Sequence, residues 1–340
     1  MNPYIRDILS QPVTLRLALE KYSISLLRDI DLSEYDRIVI SGMGSSYYAA
    51  YPAVIQLSGL PVPVQWINAA ELLHSRWGAI GERTLLWLNS QSGRSAEPVH
   101  LLERLHSSRP ARVLAFVNDL SSPMAERADI AVPIHAGEEA TVSTKTYINM
   151  LAVNLLAAVQ LAGGDVGALV EEMRRAADAM QDYLADWQSR VQELGSLLGD
   201  FDELFLIGRG ASLSAVWNGS LINKEAAKCA FEGMHAADFR HGPLELAAKG
   251  LAALIFAGSF NTSTLNRELG REIRSHGGKV IWVDSAPDDE IPTLPIPFTT
   301  ERTLPLVEIL PVQMLTLVMA QRKGIEPGRF RHVSKVTARE

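Results

Sequence analysis

Three turns in this chain carry closely spaced small hydroxyl residues: Gly44-Ser45-Ser46, Ser90-Gln91-Ser92-Gly93-Arg94-Ser95 and Val142-Ser143-Thr144-Lys145. Side chains this small let the backbone come close to a phosphate. The free N–H groups and positive dipole end of a helix that starts there favour the phosphate charge. Three such turns brought together would form a phosphate cup. Each turn taken alone also has a plainer reading, because serine and threonine are the preferred N-caps of helices. Their grouping within one half of the chain is what points to an anion site.

The surrounding sequence supplies elements able to present these turns. A short β-branched run at 36–41 (DRIVIS) ends at Gly42-Met43-Gly44, and a helical pattern begins near Tyr47. TLLWL at 84–88 leads into Asn89 and the second serine turn, RVLAFV at 112–117 into Asn118-Asp119, and IAVPI at 130–134 into Ala136-Gly137. Short apolar strands separated by helix-length segments imply right-handed βαβ units and a parallel sheet covered on both faces. From Val166 to about Leu197 the sequence is charged, helical in pattern and free of proline, which reads as connecting helices. The strand pattern then returns at 203–207 (ELFLI), 251–257 (LAALIFA) and 279–283 (KVIWV), so the chain reads as two copies of one α/β unit. Ligands of such open sheets bind beyond the carboxyl ends of the strands, where all three serine turns fall.

Composition narrows the class. The 340 residues exceed what one core usually supports, so two domains are expected. A net charge of -7 gives no basic footprint for nucleic acid, and phosphate would have to be held by local geometry. The single cysteine, Cys229, excludes an intramolecular disulfide framework and a multi-cysteine zinc site; it fits a reducing compartment and reads as a small core residue. The N-terminus lacks the pattern of a signal peptide, and the apolar stretch Met150–Gly163 is shorter than the ~20 residues that span a bilayer, so a cytoplasmic protein without membrane contact is expected.

The segments GMGSSYYAA, LNSQSGRSAE and EEATVSTKTY resemble, in order and spacing, the three sugar-phosphate segments of sugar isomerase (SIS) domains. The later stretch LFLIGRGASLSAVWNGSLINKEAAKCAFEGMHAADFRHGPLEL and the tail LPVQMLTLVMAQRKGIEPGRFRHVSKVTARE are similar to the second half of the double-SIS family, typified by the isomerase half of glucosamine-6-phosphate synthase. The resemblance starts at Ile8-Leu9-Ser10-Gln11-Pro12, and the glutamine-hydrolysing half is expected to be absent. It implies an α/β fold of two SIS domains, each a flavodoxin-like, doubly wound parallel sheet flanked by helices. The first would span 1–165 with an N-terminal helical extension, connecting helices 166–198, the second domain 199–325 and a catalytic tail 326–340.

By the same resemblance Gly44, Ser45, Ser46, Ser90, Gln91, Ser92, Ser95 and Ser143 contact the phosphate and hydroxyls of a hexose or hexosamine 6-phosphate. Glu225, His241 and Lys335 are the catalytic residues of a homodimer with shared active sites, and no metal or organic cofactor is implied. A carboxylate such as Glu225 can carry a proton between C1 and C2, a histidine can open the sugar ring near neutrality, and a lysine can store a ketose carbonyl as an iminium. Without the resemblance, Glu225 reads as a solvated helix residue paired with Lys224 or with Lys228 on the same helix face, His241-Gly242-Pro243 as a turn, and Lys335 as part of a frayed end. Lys145 and Lys224 are weaker candidates. Arg94 stands where the synthase has an acidic residue, Ile222 where it has a lysine, and the order SKVT is a form found in deaminase and deglycase relatives. The expected activity is that of a phosphosugar isomerase or amino-sugar-6-phosphate deaminase. The alternatives are a fructosamine-6-phosphate deglycase and a non-catalytic phosphosugar sensor.

Overall fold

The computed structural model describes residues 1–107, 111–337 and 339; Ala338 and Glu340, part of the expected tail, lie outside the described residues. The chain forms two compact units, Val13–Glu171 with Phe330–Glu340 (the first-sheet unit) and Met1–Pro12 with Glu172–Arg329 (the second-sheet unit).

The first-sheet unit is built on β1 (Arg37–Gly42), β2 (Val64–Asn68), β3 (Thr84–Asn89), β4 (Ala111–Val117) and β5 (Ile130–Pro133). All pairings are parallel, in the order β2-β1-β3-β4-β5. That is the flavodoxin-like doubly wound order, with its switch point between β1 and β3. Strands β1 and β3 are buried along nearly their whole length, which explains their continuous apolar runs. Val39, Leu86, Leu88 and Val113 pack against Leu101 and Leu105 of the helix Ala96–Ser107. The helix Lys145–Leu161 is apolar on every side because fifteen of its residues are buried. Its deep polar residue Asn154 accepts a 2.7 Å hydrogen bond from the Trp87 indole and donates to Met150 O.

The second-sheet unit repeats the design with β6 (Glu203–Gly208), β7 (Glu232–His235), β8 (Leu251–Phe256), β9 (Lys279–Asp284) and β10 (Thr293–Pro295), again all parallel, in the order β10-β9-β8-β6-β7. Counted from its own first strand this is the same order as in the first sheet. The charged stretch after Gly164 forms the helices Val166–Ala185 and Trp187–Leu198. The helix Leu304–Arg322 is long and apolar enough to cross a membrane by length and composition, but 89% of its apolar window is buried inside the protein. Its polar residues are bonded there: Thr316 Oγ1 lies 3.1 Å from the Tyr4 hydroxyl, and Gln313 exchanges hydrogen bonds with Gln11.

Candidate functional site

In the first-sheet unit the ends of β1 and β3 bring two serine turns into contact. Gly42 ends β1 so close to β3 that a Cβ there would meet Asn89 O at 2.8 Å. Asn89 in turn donates to Ser41 O at 3.1 Å, which fixes the two strand ends together. Beyond them Ser46, in the first turn of the helix Gly44–Ala49, accepts a 3.2 Å hydrogen bond from the Gln91 amide. Gly44, Ser45 and Ser46 are all half-buried.

The turn after β3 is held by its own hydroxyls. Ser90 is buried and lies 3.1 Å from Ser95 Oγ, and its Oγ also accepts from the Gly93 amide at 3.1 Å. Ser92 Oγ accepts from the Arg94 amide at 3.1 Å. Gly93 has φ +62°, and a Cβ at that position would fall 2.0 Å from Ser122 Oγ, so only glycine fits. Gln91, Ser92 and Ser95 remain half-buried and reachable. Arg94 points its guanidinium to Asp119 at 2.9 Å. The Ser121 hydroxyl and then Arg94 hold the Asp119 carboxyl well below its usual range, at about 2.

The third turn precedes the helix Lys145–Leu161. Ser143 Oγ sits 2.8 Å from Thr146 Oγ1. Glu139, four residues before Ser143, accepts from the Thr144 amide and hydroxyl at 2.8 and 2.9 Å and from the Thr146 amide and hydroxyl at 3.1 and 2.6 Å. Lys145 is buried at the start of the helix.

A cavity of about 900 Å³ opens beside these turns, lined by Gln91, Ser92 and Arg94, by Asn118 and Asp119, by His135 and Glu139, and by Lys335 and Val336 of the tail. Thr14, Leu17, Lys21 and Leu120 also line it. Lys335 is therefore not a frayed end: its ammonium bonds Glu139 Oε2 and Thr141 O, each at 2.5 Å. Asn118 shapes the wall by accepting from the Ala136 amide and donating to Gly137 O, both at 2.8 Å. His135 takes φ +52°, and burial, aided by the nearby Lys21 charge, lowers its pKa. Glu139, Asn118 and His135 were not singled out from the sequence. The signal for Glu139 was its place just ahead of the Thr-x-Thr helix start, where a carboxylate complements open amides. Among the described residues no group of three or more His, Cys, Asp or Glu is arranged to hold a metal ion.

Glu225 and His241 belong to the second-sheet unit. The helix Leu213–Ile222 runs into a π-helical turn, Asn223–Ala227, which carries Glu225 half-buried. Lys228 corrects the sequence reading: it adopts a left-handed conformation, φ +57°, and ends the turn rather than sharing a helix face with Glu225. Its ammonium is turned back onto backbone carbonyls, those of Glu225 and, at 2.8 Å, Arg329. Lys224 likewise bonds Ser220 Oγ at 2.5 Å and Phe231 O at 2.9 Å, and burial lowers its pKa. Ile222 is wholly buried, so the position where the synthase has a lysine belongs to the core here. His241 is exposed at the end of the short helix Ala236–Arg240, where its amide donates to Asp238 O at 2.9 Å.

Two repeats of a doubly wound sheet, with serine turns meeting at the switch point of the first, define a two-unit α/β protein with a candidate anion site. The SIS domain model matches residues 31–160 and 197–320, and the chain belongs to the SIS domain family. It is 32% identical over 313 residues to the glutamine–fructose-6-phosphate aminotransferase (isomerizing) of Pyrococcus horikoshii, covering 89% of this chain and 52% of that protein. The chain thus spans about half the length of the curated relatives it matches. Among solved structures, the C-terminal domain of glucosamine-fructose-6-phosphate aminotransferase from Francisella tularensis superposes with a TM-score of 0.85 at 21% identity, covering 97% of this chain and 98% of that one. Glucosamine-6-phosphate deaminase from Thermotoga maritima superposes with a TM-score of 0.79 at 20% identity, covering 98% and 99%. At these identities the superpositions establish the fold.

Proposed function

We propose that the protein is a phosphosugar enzyme that interconverts an amino-aldose 6-phosphate and a ketose 6-phosphate, acting as a deaminase when water releases ammonia. The observation that carries this reading is the cavity lined at once by Gln91 and Ser92 of the serine turn and by the amine of Lys335. An anion-holding turn beside a primary amine is the equipment for fixing a sugar phosphate and capturing its carbonyl. The lysine nitrogen adds to the ketose carbonyl, water leaves, and the resulting iminium draws electrons from the neighbouring carbon. In this reaction Glu225 carries the proton between C1 and C2, and His241 opens the ring. The names of the similar proteins support a sugar-phosphate substrate. We place the reaction in the cytoplasm and in a homodimer whose subunits exchange His241.

A second reading, cleavage of a phosphorylated fructosamine into a sugar phosphate and an amino acid, draws on other residues that line the cavity. Among the residues lining the cavity, Leu17 and Leu120 are apolar and Lys21 is cationic, which suits an amino-acid substituent. A panel of hexosamine 6-phosphates and fructosamine 6-phosphates, scored for ammonia, amino acid and ketose phosphate, tests both. Ammonia from a hexosamine phosphate is the expected result. Amino-acid release alone would replace it with the deglycase reading. Tight binding of every phosphosugar without conversion would make the protein a sensor.

A further inference from the structure

Lys335 lies on a segment with little to hold it. Among its described residues Arg331, His332, Val333 and Ser334 are exposed, and the apolar Phe330 and Val336 are only half-buried. Its contacts are polar and few: Lys335 on Glu139 and Thr141 O, and Thr337 O accepting from the Ala96 amide at 3.1 Å. Ala96 is the first residue of the helix that follows the serine turn, so the second contact ties the tail to the same turn.

Glu139 is the unusual partner. Its side chain is fully buried, whereas that of Lys335 is 26% exposed. Four donors from Thr144 and Thr146 already surround the carboxylate, and they belong to the local helix start. A neutral acceptor could serve most of those donors. The formal negative charge, costly to bury without a cation, finds one in Lys335, 196 residues away in sequence. Through Thr146, whose hydroxyl also meets Ser143, the same carboxylate connects the third serine turn to the tail.

We propose that Glu139 is the positioning residue for Lys335: it seats the C-terminal segment and sets where the amine stands relative to the serine turns. The catalytic consequence rests on the reading of Lys335 as the iminium-forming lysine; the seating itself does not.

Hydrogen exchange of the full chain, followed in the peptides containing Ala96 and residues 330–337, reads the seat without any substrate. Glu139→Gln and Lys335→Met should each accelerate exchange in both peptides more than tenfold, and the double variant no further. Lys335→Arg, which keeps the cation, should retain most of the protection, and Glu139→Asp should restore part of it. Unchanged exchange in β1 and β3 shows that the variants fold. With a substrate that the wild type converts, Glu139→Gln should lower kcat and borohydride trapping of Lys335 together while KM stays within about twofold, because the serine turn after β3, Ser90 to Ser95, is unaltered. If the wild type converts nothing, the iminium reading falls and the exchange arm still decides the seat. A Glu139→Gln tail as protected as the wild type, or a Lys335→Arg tail as loose as Lys335→Met, overturns the proposal.

Discussion

Glu308 offers a quantitative test of how dry the second-sheet core is. It lies on the helix Leu304–Arg322 with no exposed surface; one oxygen accepts a 2.7 Å hydrogen bond from Ser212, and the other is buried without a partner. Burial, opposed by the Ser212 hydrogen bond and reinforced by Asp284, pushes its pKa from 4.5 up to about 8. The unfolded chain releases this proton near 4.5, whereas the folded chain keeps it until about 8. The group's contribution to stability is therefore full below 4.5, falls as pH rises between those values, and is flat above the folded pKa. At about 1.4 kcal/mol per pH unit the whole loss is on the order of 5 kcal/mol, of which about 2 kcal/mol falls between pH 6 and 8, because the group is half-titrated at its folded pKa. Glu308→Gln removes the titration and keeps an acceptor for Ser212, although its amide hydrogens lack partners, a cost of about 1–3 kcal/mol that does not vary with pH. The stability difference between variant and wild type should therefore move in the variant's favour by about 2 kcal/mol from pH 6 to 8. Urea unfolding read by pulsed hydrogen exchange in β6 and β8 measures this unit alone. With m near 3 kcal/mol/M, the midpoint difference shifts by about 0.8 M. A difference that stays constant across that pH range would mean that Glu308 is ionised throughout or is reached by water, and the argument from burial would fail.

Gly93→Ala should abolish binding of a hexose 6-phosphate in calorimetry and destabilise the first-sheet unit by about 1–3 kcal/mol, since the new methyl would collide with Ser122 from a strained backbone. Affinity within twofold of wild type would remove the serine turn as the anion site. In a homodimer that exchanges His241, verified heterodimers of a His241→Ala chain and a Glu225→Gln chain should regain activity at one of their two sites. Heterodimers as inactive as their parents would show that both residues act within one subunit's site.

The sequence made the inner strands plain and, apart from β5, hid the outer ones, for a reason visible in the sheets. β1, β3, β4, β6, β8 and β9 lie inside their sheets, and their apolar runs stand out at once. The strands that escaped notice, β2, β7 and β10, are all at edges. Edge strands are short or half-exposed and need no continuous apolar run. VQWIN follows a proline-rich stretch, EGMH has a single large apolar side chain, and TLP is three residues long. The first two serine turns were legible as turns because each begins immediately after a buried strand.

Lysine positions resisted the same treatment because their meaning is set by backbone geometry and by distant partners. Lys228 follows Glu225 by three residues, and on a continuous helix the two would share a face. One left-handed residue cancels that inference by turning the ammonium back onto carbonyls of the turn it terminates. The tail shows the converse. Lys335 looks unsupported in sequence because every contact that holds it comes from segments around Ala96 and Glu139, and the strongest of these is a carboxylate that local reasoning assigns entirely to a helix start. A buried acid with more donors than its helix needs is thus itself a signal. Had Glu139 been only a cap, an uncharged residue would have served at less cost in desolvation, and its retained charge requires a cation that the first-sheet unit supplies from the C-terminal segment.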